Sequence, residues 1–70
     1  MLNLNNGSRL ITYVIEAPAG SGMVMLNGPA ARLGETGDIV VIISYAHCED
    51  TAAREFHPKT VQVGSNNSPQ

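Results

Sequence analysis

Leu2 and Leu4 alternate with asparagines before Asn6-Gly7. That dipeptide is a strong turn signal, so the pattern predicts a β-hairpin whose second arm is Leu10 to Ile15. On that arm Leu10, Thr12 and Val14 share one face, and Arg9, Ile11, Tyr13 and Ile15 share the other. The next stretch, Glu16 to Gly22 (EAPAGSG), is turn chemistry. Pro18 fixes a φ angle, and Gly20 and Gly22 permit positive ones. Met23 to Leu26 reads as a short strand stopped by Asn27 to Pro29, and PAARL as a single helical turn ended by Gly34. A tight turn at GETGD leads into Ile39 to Tyr45, the most apolar stretch. Its near-continuous β-branched character predicts a strand covered on both faces. A short helix follows from Asp50 or Thr51 to about Phe56, capped by Asp50 and terminated by Pro58. Thr60 to Val63 is a last short strand, and GSNNSPQ a polar flexible tail.

About five short strands with one or two helical turns predict an all-β fold, mainly β with short helices, in the form of a small barrel or part of one. Residues 1–63 make up the β-barrel segment and residues 64–70 the tail. At 70 residues the chain is near the lower limit for an independent domain. Cys48 is the only cysteine, so no internal disulfide exists, and no Cys/His cluster has zinc spacing. The remaining aid is oligomerisation or a partner segment, because a lone β fragment leaves strand edges open.

Charge narrows the partners. The net charge is −2, and Arg9, Arg32, Arg54 and Lys59 are scattered, so no basic stripe faces a nucleic acid. The apolar run Ile39 to Ile43 is far short of the roughly 20 residues of a membrane span. MLNLNNG has no signal-peptide pattern, and a single thiol fits a cytoplasmic, reducing location.

Two groups of residues carry candidate chemistry. Arg9 and Tyr13 fall on one strand face, about 13 Å apart at their bases by the strand rise of ~3.3 Å per residue. Both side chains can reach one small anion, Arg with a bidentate fork and Tyr with a phenolic proton. The same spacing also suits an exposed edge charge beside a half-buried aromatic, and spacing does not separate the two. Asn27-Gly28 at a strand end offers an amide and a backbone N–H to an oxyanion, or is simply a turn. Small Ala30 and Ala31 let a ligand approach the backbone, or pack closely. Met23 and Met25 read as core filler. His47 and Cys48 are sequence neighbours and so face opposite ways on a strand, which argues against a catalytic dyad.

The ordered motifs go further than any of these alone. Asn6, Gly7, Arg9, Thr12 and Tyr13 match N-G-x-R-x-x-T-Y, and Asn27, Gly28, Pro29, Ala30 and Ala31 match N-G-[AP]-A-A. Gly37, Asp38, Val40, Val41, Ile42, Ser44 and Tyr45 approximate G-D-x-V-I-I-x-[SA]-[YF]. With REFHPKTVQV behind them, they resemble the pyruvoyl-dependent aspartate 1-decarboxylases from about Leu2 to Val63. The resemblance implies a double-psi β-barrel, a homotetramer with sites between subunits, and conversion of L-aspartate to β-alanine and carbon dioxide for pantothenate synthesis. It implies that Arg9 binds a substrate carboxylate, that Tyr13 protonates the carbanion, and that Thr12 and Asn27 line the pyruvoyl site. Gly28 and Ala30 would present backbone to the substrate.

One departure stands out. In that family the pyruvoyl group, the electron sink, forms from a serine in a Tyr-x-Gly-Ser motif upstream of the matched region, and a site lysine lies further upstream. The Gly-Ser pairs at 7–8, 20–21 and 64–65 do not sit in that context. The expectation is therefore a C-terminal part that needs an N-terminal segment or β chain and is inactive alone. The alternative is a non-enzymatic small β-barrel module binding a dicarboxylate or a partner protein, and a third reading is a split enzyme whose missing strand docks by addition.

Overall fold

The computed structural model describes residues 1–70. Its ordered centre is built around Asn3, the one buried residue, at 3% exposure. The strand β1 (Leu2–Asn3) pairs antiparallel with β2 (Val40–Val41), with Leu2 opposite Val41 and Asn3 opposite Val40. On its other side β1 meets Arg9 through a bridge at Leu2. The predicted hairpin therefore closes at its turn end only, through this single bridge, and its expected second arm from Leu10 to Ile15 is not paired. Leu10 N–H donates to Met1 O at 3.0 Å, Asn3 N–H to Ser8 O at 2.8 Å and Gly7 N–H to Asn3 O at 3.0 Å. Gly7 takes a φ of 76°, which explains a glycine there.

The Asn3 side chain uses every hydrogen-bonding position it has. Its Nδ2 donates to Leu33 O at 3.1 Å and to Asp38 Oδ2 at 2.9 Å, while its Oδ1 accepts from the backbone N–H of Asn5 at 2.9 Å and of Asn6 at 3.4 Å. Neighbouring asparagines extend the net. Asn6 Nδ2 donates to Leu33 O at 3.0 Å, and Asn5 Oδ1 accepts from Ile39 N–H at 2.6 Å. The predicted tight turn before β2 is closed by Asp38, whose Oδ2 accepts from Glu35 N–H at 2.8 Å and whose own N–H donates to Glu35 O at 3.0 Å.

The helical turn expected at PAARL is a 3₁₀ helix, Gly28–Leu33. Gly34 ends it in extended backbone at φ −160°, not in the left-handed form of a glycine cap. Close approach explains this glycine better, because a β-carbon there would lie 2.9 Å from Leu26 Cδ1 and 3.4 Å from Asn3 Nδ2. The helix α1 (Asp50–Glu55) forms where expected, with a correction at its start. Glu49 occupies the cap without a side-chain bond, and Asp50 is the first helical residue, where its charge suits the helix dipole.

The expected strands are corrected more heavily. Leu10 to Ile15 and Met23 to Leu26 form no strand, and of Ile39 to Tyr45 only Val40–Val41 is paired. Thr60 to Val63 contributes a single bridge, Val63 to Pro69. Ile39 to Tyr45 is also not covered on both faces, since Ile42 is 64% and Tyr45 88% exposed. The reason is shared: these 70 residues fold without a second layer for the apolar segments to pack against, and few of their strand groups find a ladder partner. No hydrophobic residue is buried. The accessible surface is 6722 Å², against about 4200 Å² for a compact monomer of this mass. The radius of gyration, 14.3 Å, exceeds the ~11 Å of a compact domain of this length. The architecture is thus a mainly-β fragment with a two-stranded antiparallel sheet and few helical turns.

At the C-terminus the chain turns back on itself. Gly64 N–H donates to Ser68 O at 2.8 Å and Gln70 N–H to Gln62 O at 2.9 Å. Asn67 Nδ2 reaches Gly22 O at 2.7 Å.

Two outcomes are expected of the Asn3 node. Asn3→Ala removes four bonds at the one buried side chain, and it should lower the local opening free energy by about 1–3 kcal/mol. Faster amide exchange at Gly7 and Leu10 would register that loss, and unchanged exchange would contradict it. Asp38 is held below its ordinary carboxyl value of 3.8, first by the Asn3 amide and then by the Glu35 N–H. A depressed pKa means that the stabilisation is complete above the unfolded value and is lost as pH falls through the folded one. Amide protection around the node should therefore hold above about pH 4 and fail on further acidification, and Asp38→Asn should flatten that dependence.

Candidate active site

Two lengths of chain joined by a turn make a cleft that gathers several of the residues singled out from the sequence. The turn runs from Pro18 to Ser21, with Ser21 N–H donating to Pro18 O at 3.2 Å and Gly20 at φ 79°. Gly22 follows at φ 68°, and Ser21 Oγ accepts from Met23 N–H at 3.2 Å, which turns the chain into its second wall. The positive φ angles expected of Gly20 and Gly22 are thus present, set by local turn chemistry alone.

The cleft between these walls has a volume of about 220 Å³. The first wall, from 12 to 17, contributes Thr12, Tyr13 and Glu16; the second, from 23 to 30, contributes the two methionines, Asn27 and Ala30. Four residues singled out from the sequence therefore meet in one hollow: Thr12, Tyr13, Asn27 and Ala30. Arg9 and Gly28 are not part of the lining. Arg9 lies exposed at the hairpin edge, bridged through its backbone to Leu2, and Gly28 opens the 3₁₀ helix at φ 61°.

Strand alternation does not describe this wall. Thr12 and Tyr13 are adjacent in sequence and line the same cleft, although a regular strand would turn them to opposite faces. No ladder partner holds a pleat over 11 to 17, and Ile11 is fully exposed at 101%. Met23 and Met25 also depart from expectation. They are 55% and 64% exposed and face the cleft, so they are wall and not core.

Asn27 occupies the cap position of the 3₁₀ helix, at φ −104° and ψ 153°, yet makes no side-chain capping bond. An asparagine at a helix start ordinarily spends its side chain on a backbone N–H. Here the amide makes no capping bond, and Asn27 lines the same cleft as Tyr13 and Thr12. The cleft therefore presents neutral donors on a largely apolar wall, a combination suited to a small polar ligand. No group of His, Cys, Asp and Glu residues is arranged to hold a metal ion.

Glu16 is the lining residue that sequence reasoning passed over. It was absorbed into the turn because EAPAGSG reads as loop chemistry, and its signal was only its distance of three residues from Tyr13.

The sequence model of the aspartate decarboxylase family matches residues 1–70. An aspartate 1-decarboxylase of Thermoanaerobacter pseudethanolicus is 51% identical over 69 residues, which are 99% of this chain and 59% of that protein. One from Salinibacter ruber is 54% identical over 67 residues, covering 96% of this chain and 46% of its own length. A third, from Carboxydothermus hydrogenoformans, is 51% identical, with 96% and 53% covered. The chain spans about half the length of the curated relatives it matches. By its motifs and by this end-to-end match, the chain belongs to the aspartate decarboxylase family.

Proposed function

We propose that this chain supplies part of the substrate site of a pyruvoyl-dependent aspartate 1-decarboxylase, which converts L-aspartate to β-alanine and carbon dioxide for pantothenate synthesis. The observation that carries the reading is the convergence of Thr12, Tyr13, Asn27 and Ala30 on one cleft, with the Asn27 amide left free.

The donor set suits a pyruvoyl group. The Thr12 hydroxyl and the Asn27 amide are hydrogen-bond donors for carbonyl oxygens, and Ala30 leaves room on the second wall. When bound, that group supplies the electron sink for decarboxylation. The side chains of this chain do the rest. Arg9, exposed at the hairpin edge, binds a substrate carboxylate through its guanidinium. Tyr13 would supply the phenolic proton that replaces the departing carbon dioxide. Thr12 and Asn27 orient the reacting carbonyl, and Gly28 and Ala30 allow close backbone approach. The apolar wall of Ile15, Met23, Met25 and Leu26 lowers the local dielectric, which strengthens the polar contacts made inside the cleft.

The wider assembly belongs to the same proposal. Ile11, Val14, Ile42 and Tyr45 are exposed along segments that read as strands. A double-psi β-barrel completed by an N-terminal segment or β chain, in a cytoplasmic homotetramer, would cover them. No helix here is long and apolar enough to cross a membrane.

Tyr13→Phe in the protein as its native gene produces it should cut β-alanine formation by about 10²–10⁴-fold, the usual contribution of a positioned proton donor, with little change in KM. Undiminished turnover would remove Tyr13 from the reaction. Incubated with aspartate, the 70 residues by themselves should release no β-alanine, because binding and protonating groups cannot delocalise a carbanion. Chromatographic detection of product sensitive to Tyr13→Phe would refute this.

A further inference from the structure

The chain contains the Asn-Gly dipeptide twice, at Asn6-Gly7 and at Asn27-Gly28, and the fold holds the two copies in opposite ways. Asn6 is engaged at both ends of its amide: Nδ2 donates to Leu33 O at 3.0 Å, and Oδ1 accepts from Ser8 N–H at 2.8 Å. The backbone nitrogen that follows is engaged too, since Gly7 N–H donates to Asn3 O at 3.0 Å. Asn27 is exposed, and neither end of its amide has a hydrogen-bond partner within the chain. Gly28 opens the 3₁₀ helix, so its N–H has no partner inside that helix, and it donates to nothing outside it. We propose that Asn27-Gly28 is a site of spontaneous deamidation, from which Asn6-Gly7 is protected by its hydrogen bonds. The proposal stands apart from the decarboxylase reading, because its only co-reactant is water.

The chemistry is an attack of the backbone on its own side chain. The Gly28 nitrogen gives its proton to hydroxide and bonds to Asn27 Cγ. The Cγ–Nδ2 bond breaks, and Nδ2 leaves as ammonia with a proton from water. Water then opens the resulting succinimide ring at either carbonyl, leaving aspartate or isoaspartate at position 27. Nothing is oxidised or reduced. Glycine favours the attack because no β-carbon crowds the nitrogen. Asn27 lies in extended backbone at ψ 153°, so the chain must rotate about that bond to bring the nitrogen onto Cγ. The rotation breaks no hydrogen bond of the Asn27 amide or of the Gly28 N–H. At Asn6 the bonds to Leu33 and Ser8, and that of Gly7 to Asn3, oppose the same movement. The consequence falls on the cleft that Asn27 lines. Its amide donor becomes a carboxylate in a hollow where Glu16 is the one other lining residue ionised near neutral pH. The isoaspartate product also adds a carbon to the main chain just before the 3₁₀ helix.

The test needs no variant, because each molecule carries its own control. The protein as its native gene produces it is incubated at mildly alkaline pH, where more of the backbone nitrogen is deprotonated. Peptide mapping by mass spectrometry then follows Asn6 and Asn27 separately, and enzymatic methylation detects isoaspartate. Conversion at Asn27 should run about tenfold faster than at Asn6, the scale of having to break one or two hydrogen bonds first. In strong denaturant the two rates should converge, since both sites are then Asn-Gly in an open chain. Equal rates in the folded protein, or a faster rate at Asn6, overturn the proposal. So does an Asn27 that survives in the folded protein while the denatured chain reacts. A preference for Asn27 that persists unchanged in denaturant places its cause in the local sequence and overturns the proposal as well.

Discussion

The fold depends on a polar side chain where a small domain would ordinarily have an apolar core. Asn3 ties together the turn after β1, the end of the 3₁₀ helix at Leu33 and the turn closed by Asp38. A primary amide, with two donors and two acceptor lone pairs on one planar group, can serve three segments of the chain at once. Burial strengthens those bonds by excluding water, and the same burial makes the loss of any one of them costly. The asparagine-rich opening of the chain is thus structural: Asn5 and Asn6 add bonds to Ile39 and Leu33 around the same point.

What surrounds that point is open. A β-strand is stable only when both its ladder groups and at least one face find partners. Around Asn3 the strands find partners for two residues each, and beyond that the apolar segments run unpaired. The chain spans about half the length of the curated relatives it matches. The candidate site does not need those contacts for its outline. It is shaped locally, by a proline–glycine turn that folds one wall towards the other.

Glu16 illustrates how a cleft-lining residue hides in a sequence. Its neighbours are turn formers, so its charge reads as solvated loop. Its place in the cleft appears only when the turn that follows has brought Met23 to Ala30 alongside. Asn27 is the converse case. It stands at the start of the 3₁₀ helix, where an asparagine ordinarily caps a backbone N–H, but the side chain is left unspent.

Local chemistry was legible in the residues themselves. Asn6-Gly7 announced the hairpin, Pro18 with Gly20 the turn, PAARL the helical turn and the alanines after Asp50 the short helix, because each rests on φ preferences and bonds between near neighbours. The motifs around Tyr13 and Asn27 also pointed to the family without any coordinates. Tertiary structure alone decided which strands exist, because pairing needs a partner that periodicity does not supply. It alone brought Thr12 and Tyr13 to one side, released Met23 and Met25 from the core, and left Arg9 outside the hollow. Those outcomes depend on contacts between residues distant in sequence, and an alternating pattern carries no information about whether the second surface is present.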